Sequence, residues 1–261
     1  MKKRILALAT FLILITALSA QNIMQIYQKG GKVSQLMVAE VDSIVFIDTT
    51  THDDSTTIVN PITYVDSVVD IDGNLYHAVA IGTQVWMVEN LKTTKYRDGS
   101  PIPNVTDNTA WMLTTKGAYC DYDNDPTHSN TYGRLYNWYA IIDTLNIAPE
   151  GWHVPTHEEW NTLVQFLGGG TVAGGKLKET GTAHWNSPNT GATNDYGFSG
   201  LGAGTRLSIF SGIGQEGTYW NASIWADTKD PWVTSLFYNS KGAGAVSYDE
   251  HNGLSVRCIK D

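Results

Sequence analysis

The sequence predicts an α+β fold, two helices set among many short antiparallel strands and long loops. Three observations carry this. Thr156-His157-Glu158-Glu159 reads as a capping box, and Trp160, Leu163, Val164 and Leu167 follow at the spacing of one buried helix face, closed by Gly168-Gly169-Gly170. Tyr132 to Ile142 is a second helix candidate, with Leu135, Tyr136, Trp138, Tyr139 and Ile142 as apolar cover. Elsewhere, short apolar runs alternate with Asp/Gly turns, and the chain after Gly170 is rich in Gly, Thr, Asn, Trp and Tyr.

In chain order, Lys2, Lys3 and Arg4 precede an apolar run from Ile5 to Ala17 and the small residues Ser19 and Ala20. This is the pattern of a secretory signal peptide over residues 1–20, cleaved after Ala20. The run is roughly 13 residues, short of the ~20 a spanning helix needs. No Cys follows it, so nothing supports a lipoprotein anchor. Export to the outside or the cell envelope is therefore expected, with no transmembrane segment in the mature chain. Loss of the three cations takes the formal net charge from −9 to about −12. That acidity, with no Lys/Arg stripe, argues against a nucleic-acid partner.

Residues 22–47 read as a small β-hairpin unit: two apolar runs flank Lys29-Gly30-Gly31-Lys32, and Val41 to Phe46 follows. Residues 48–62 are Thr- and Asp-rich and read as a linker. The main domain spans 63–261. It opens with Val65–Val69, the turn Asp70-Ile71-Asp72-Gly73-Asn74, and Leu75–Ile81. A tight hairpin follows through Gly82-Thr83 to Met87, and then the two helix candidates.

Several segments here, in this order, resemble the Fibrobacter succinogenes major paralogous domain. They are Asp70–Asn74, Ile81-Gly82-Thr83-Gln84-Val85-Trp86-Met87-Val88-Glu89-Asn90-Leu91, Tyr132-Gly133-Arg134-Leu135-Tyr136-Asn137-Trp138-Tyr139-Ala140, Gly151–Trp160, Gly174–Lys178 and Gly253–Cys258. The resemblance implies an exported, often surface-associated protein of Bacteroidetes or Fibrobacteres type. It also implies a C-type-lectin-like fold, which the formylglycine-generating, sulfatase-modifying enzymes share. Members commonly carry Cys ahead of the Pro-x-Gly-Trp segment, where this chain has Ala148.

The two cysteines, Cys120 and Cys258, are read as one disulfide, the alternative being two buried free thiols. If the family's missing Cys normally pairs with the terminal one, Cys120 substitutes or Cys258 is left free.

His153 and His157 are four apart, but Pro155 lies between them, so a zinc-helix reading fails and a solvated helix start is expected. Gly170 to Lys176 mimics a phosphate loop without the Ser/Thr that follows the Lys, and reads as a flexible connector. Asp121, Asp123 and Asp125 alternate as in calcium loops. Pro126 and Tyr132 exclude an EF-hand, which leaves a looser Ca²⁺ site as the one cofactor candidate.

Trp185, Trp220, Trp225, Trp232 and Tyr238 crowd the loop-rich half beside several Asn and Asp. They are the candidate ligand-binding residues, because a pyranose offers an apolar face to a ring and hydroxyls to amides and carboxylates. The functional expectation is a non-catalytic surface binding or adhesion module, with a glycan or another surface protein as partner. The alternatives are a structural envelope module without small ligand, and an oxidoreductase related to the formylglycine-generating enzymes.

Overall fold

The computed structural model describes the backbone of Ile23–Tyr27 and Val33–Met37, and residues 64–261 in full. The expected signal peptide, the Val41–Phe46 run and the linker over 48–62 lie outside the described residues. No helix among those described is long and apolar enough to cross a membrane. The chain divides into two units, Met1–Asn60 and Pro61–Asp261. In the first, β1 (Ile23–Tyr27) and β2 (Val33–Met37) pair antiparallel, Ile23 opposite Met37 and Tyr27 opposite Val33.

The second unit opens with the hairpin of β3 (Tyr64–Val69) and β4 (Leu75–Ile81). Asp70 organises its turn. One carboxylate oxygen accepts from the amides of Asp72 and Asn74, the other from Asn74 Nδ2 and the Tyr76 hydroxyl. Asp side chains favour turns because they offer the backbone such local partners. A second tight turn, with Gly82 at φ +64°, leads to β5 (Gln84–Met87). With β8 (Trp152–His153) and β14 (Ile259–Lys260) these strands form a five-stranded antiparallel sheet, order β3-β4-β5-β14-β8.

Three smaller antiparallel sheets accompany it. They pair β6 (Tyr119–Cys120) with β7 (Leu135–Tyr136), and β9 (Ala203–Arg206) with β10 (Phe210–Ile213). The third joins β11 (Glu216–Ile224), β12 (Pro231–Phe237) and β13 (Ala243–Ser247).

The α+β class is as expected, but the described residues hold five α-helices rather than two: α1 (Asn108–Leu113), α2 (Pro126–Tyr132), α3 (Trp138–Ile141), α4 (His157–Phe166) and α5 (Ala173–Leu177). The expected helix over Tyr132–Ile142 is the tail of α2, a break, β7 and α3. Gly133 makes the break: its φ is +74°, and a Cβ there would lie 2.6 Å from Asn90 Cβ. Asn137 then caps α3 by accepting from the Ala140 amide. All-round apolar cover marks burial and does not distinguish a buried strand from a helix.

In α4 the expected capping box is present. The Glu159 amide donates to Thr156 Oγ1, and the Thr156 amide donates to the Glu159 carboxylate at 2.7 Å. Such a box contributes about 1 kcal/mol. The expected Gly-rich connector after it is helix α5. Its glycines are needed for close approach, since Cβ atoms at Gly174 and Gly175 would meet the carbonyls of Gly242 and Gly191 at 1.9 and 2.1 Å.

The segment Gly253–Ile259 joins the sheets. Gly253 exchanges backbone hydrogen bonds with Arg206 of β9, and Leu254 with Tyr136 of β7. Ser255 donates to Thr218 and accepts from Trp220, both in β11. Leu91 donates to Val256, and Met87 of β5 to Cys258, before Ile259 enters β14. Every residue of the segment is buried.

Candidate functional site

The site is built where β11 and β12 meet the start of α4. The β11–β12 register changes between Trp220, opposite Val233, and Ile224, opposite Pro231, so β11 carries an irregularity of the bulge kind. Bulges re-aim the side chains beyond them. The connecting loop is closed by Trp225 N–H donating to Asp230 O at 2.8 Å and Lys229 N–H donating to Trp225 O at 2.9 Å. Lys229 adopts φ +68° to complete it. Trp225 and Trp232 thereby become diagonal neighbours across the strand pair, close enough for large rings to touch. Their rings lie parallel, centroids 4.3 Å apart and planes 5° apart.

The other face of Trp232 is covered by His157, the first residue of α4, at 4.0 Å and 17°. Two bonds tie this helix start to β11: His157 N–H donates to Ser223 Oγ at 3.0 Å, and Ala222 N–H donates to Pro155 O at 2.7 Å. The capping box holds the same turn rigid from the other side. The result is a three-ring column, Trp225–Trp232–His157, all half-buried. Trp232 is sandwiched. Trp225 ends the column, with one face on Trp232 and the other turned away from it.

Burial holds the His157 imidazole below its ordinary range, with Glu158 pulling weakly the other way. Its Nδ1 is buried without a partner. Neutral His157 therefore stacks as a third aromatic ring, which corrects the expectation of a solvated helix start. Sequence reasoning missed it because its partner is 75 positions away and nothing local marks the contact. His153 goes elsewhere, between Glu159 at 2.9 Å and Asp261 at 2.6 Å.

Residues 79–260 match the family model described as the Fibrobacter succinogenes major domain. The chain belongs to this family. No curated protein and no solved structure matches it. In this Fibrobacter succinogenes major domain the three-ring column lies wholly inside the matched span.

Of the five aromatic candidates, Trp225 and Trp232 stack on one another, and Trp185 and Tyr238 share one core cluster. Trp185 and Trp220 are core residues instead. Trp185 donates its indole N–H to Gly200 O, and Trp220 donates to Tyr136 O and packs on Trp138 at 5.4 Å. Tyr238 is half-buried against the cluster of Trp86, Trp160, Phe198 and Tyr219. Long loops need large side chains beneath them, and in a sequence those look the same as exposed ones.

The three aspartates considered for Ca²⁺ diverge. Asp121 is buried against Arg134 Nε at 3.3 Å, and Asp125 caps α2 by accepting from the Thr127 amide and hydroxyl. Asp123 is exposed and lines an open hollow of about 530 Å³ with Asp107, Asn108 and Asn124. Among the described residues no three His, Cys, Asp or Glu side chains gather into a metal site.

The expected Cys120–Cys258 bridge is absent; both are buried free thiols. Cys120 packs with Trp111, Tyr122 and Leu135, whereas Cys258 packs with Tyr136, Trp152 and Val256. Burial pushes each thiol up to about 12, so neither is a thiolate at neutral pH. The redox cysteine pair that the oxidoreductase alternative requires is therefore not formed.

Proposed function

We propose that this domain is an exported, non-catalytic binding module of C-type-lectin-like architecture that takes a pyranose ring on the outer face of Trp225. One observation carries the reading. Trp225 is held parallel on Trp232 at the start of a closed hairpin loop, and Trp232 is itself backed by His157 at a capped helix start. A ring held this way loses little freedom when a ligand lands on it, and preorganisation of that kind reduces the entropic cost of binding. The mixed α+β architecture and the family membership support the lectin-like part of the reading.

The test is a glycan array followed by calorimetry. Trp225→Ala should lose about 2 kcal/mol of binding, roughly thirtyfold, while its melting curve stays close to wild type. Trp185→Phe, a core change, should leave affinity as it is. A well-folded protein that is silent across the array would overturn the carbohydrate reading in favour of a protein partner or a structural role.

A further inference from the structure

The segments that build the column also set its charge. The loop between the two tryptophans carries Asp227 and Asp230 against Lys229, and Glu158 follows His157. Asp227, Lys229 and Glu158 are exposed, and Asp230 is half-buried. His157 is held neutral by burial and does not offset them. The rings thus sit among three carboxylates and one ammonium, on a chain whose formal net charge is −9.

An aromatic face accepts any pyranose with an apolar side, so the ring alone does not discriminate by charge. The surrounding carboxylates do. Asp227 and Asp230 lie in the loop that Trp225 opens, with Lys229 offsetting one of them, whereas Glu158 stands at the His157 end of the column, so at neutral pH a ligand carboxylate or sulfate on Trp225 meets net repulsion from the loop. Resting on the reading of Trp225 as the sugar-facing group, we propose that this site takes uncharged pyranosides and excludes uronate and sulfated chains. The energetic scale is modest: one uncompensated unit charge about 8 Å away in a water-like medium corresponds to about a twofold difference in affinity, shrinking with salt.

The experiment uses matched pairs. Neutral gluco-, manno- and galacto-oligosaccharides are each titrated beside the same oligosaccharide oxidised to the uronate at C6. The proteins are the full chain, Asp227→Asn/Asp230→Asn, and Trp225→Ala. Asparagine keeps the shape of both side chains, and the loop-closing bonds are made by backbone atoms, so this variant retains the hairpin. The expected result is up to about twofold tighter binding of the neutral member by wild type at 50 mM salt. That gap closes in the Asn variant and narrows at 500 mM salt, and Trp225→Ala loses the neutral ligand.

Equal or tighter binding of the uronate by wild type, with Trp225→Ala still losing both, would sink the charge selection and leave the Trp225 site standing. Binding of no pair by wild type or the Asn variant would overturn the site itself, and the charge selection with it.

Discussion

Arg257 donates to a single acceptor, Asn90 Oδ1, through both Nε at 3.0 Å and Nη2 at 2.6 Å. Its Nη1 donates to the carbonyls of Met87 and Phe198, and the guanidinium lies 4.4 Å from the Phe198 ring centroid. The residue is wholly buried, and every acceptor it uses is neutral. A planar fork bonded this way cannot be replaced by a point charge. Arg257→Lys should therefore destabilise the domain nearly as much as Arg257→Met, each by about 3 kcal/mol, because the orphaned acceptors remain buried. Urea midpoints of the two variants check this. A lysine variant close to wild type would show that charge matters here and geometry does not.

Lys178 repeats the design with an ammonium. Its Nζ donates to the carbonyls of Thr190, Phe237 and Ser240 at 2.9–3.0 Å, and it lies over the Trp185 ring. Lys178→Met should cost about 2 to 3 kcal/mol by leaving three buried carbonyls unpaired. Burial also pulls the Lys178 ammonium down to about 8. A folded value below the unfolded one means the unfolded chain holds more protons between about pH 8 and 10.5, so stability from this group rises across that window. The wild-type minus Lys178→Met difference in unfolding free energy should grow from pH 8 to pH 10. A flat difference would exclude the linkage.

His153 acts in the opposite sense. Burial disfavours its charge, but hydrogen bonds to Asp261 and Glu159 outweigh this and raise it above the ordinary imidazole range. Its stabilising effect is fully present below the unfolded value near 6.5 and is lost as pH rises through the folded one. Melting temperature should fall from pH 6 to pH 8 more steeply in wild type than in His153→Gln. Parallel slopes in differential scanning calorimetry would contradict the assignment.

His157→Phe keeps a ring on Trp232 and removes a buried nitrogen that has no partner. It should raise the melting temperature by a few degrees while ligand affinity stays within twofold. His157→Ala should lower both, since Trp232 loses its support. A phenylalanine variant that melts below wild type would point to a water or ligand on Nδ1.

Both cysteines should be silent to a thiol reagent in the native protein and react fully, two per chain, once it is denatured. One fast-reacting thiol under native conditions would contradict the burial of Cys120 or Cys258.

The parts of this fold legible from sequence are those whose cause is local. The Asp70 turn, the Gly82 hairpin and the Thr156 capping box each rest on residues within a few positions of one another, and each is present. The Gly133 break was not legible, because the reason for that glycine is Asn90, over 40 residues away. The candidate site divides the same way. Trp225 and Trp232 flank one hairpin and both are legible as candidates, but their separation from Trp185 and Trp220 depends on which loops and strands close over the core, where Trp185 bonds Gly200 and Trp220 bonds Tyr136. His157 enters the column only because β11 docks on the start of α4, through bonds that span 66 and 67 positions.

The Gly253–Ile259 segment has a consequence in time. The strands it joins come from β5, β7, β9 and β11, made across more than a hundred residues, and its backbone hydrogen bonds link each of them to the others. Until residue 259 is available, these sheets lack their common partner, and the core they share lacks Leu254, Val256 and Cys258. The native pairing of β5, β7, β9 and β11 is therefore completed only when the chain through residue 259 is present, and pairings this distant in sequence make for slow folding.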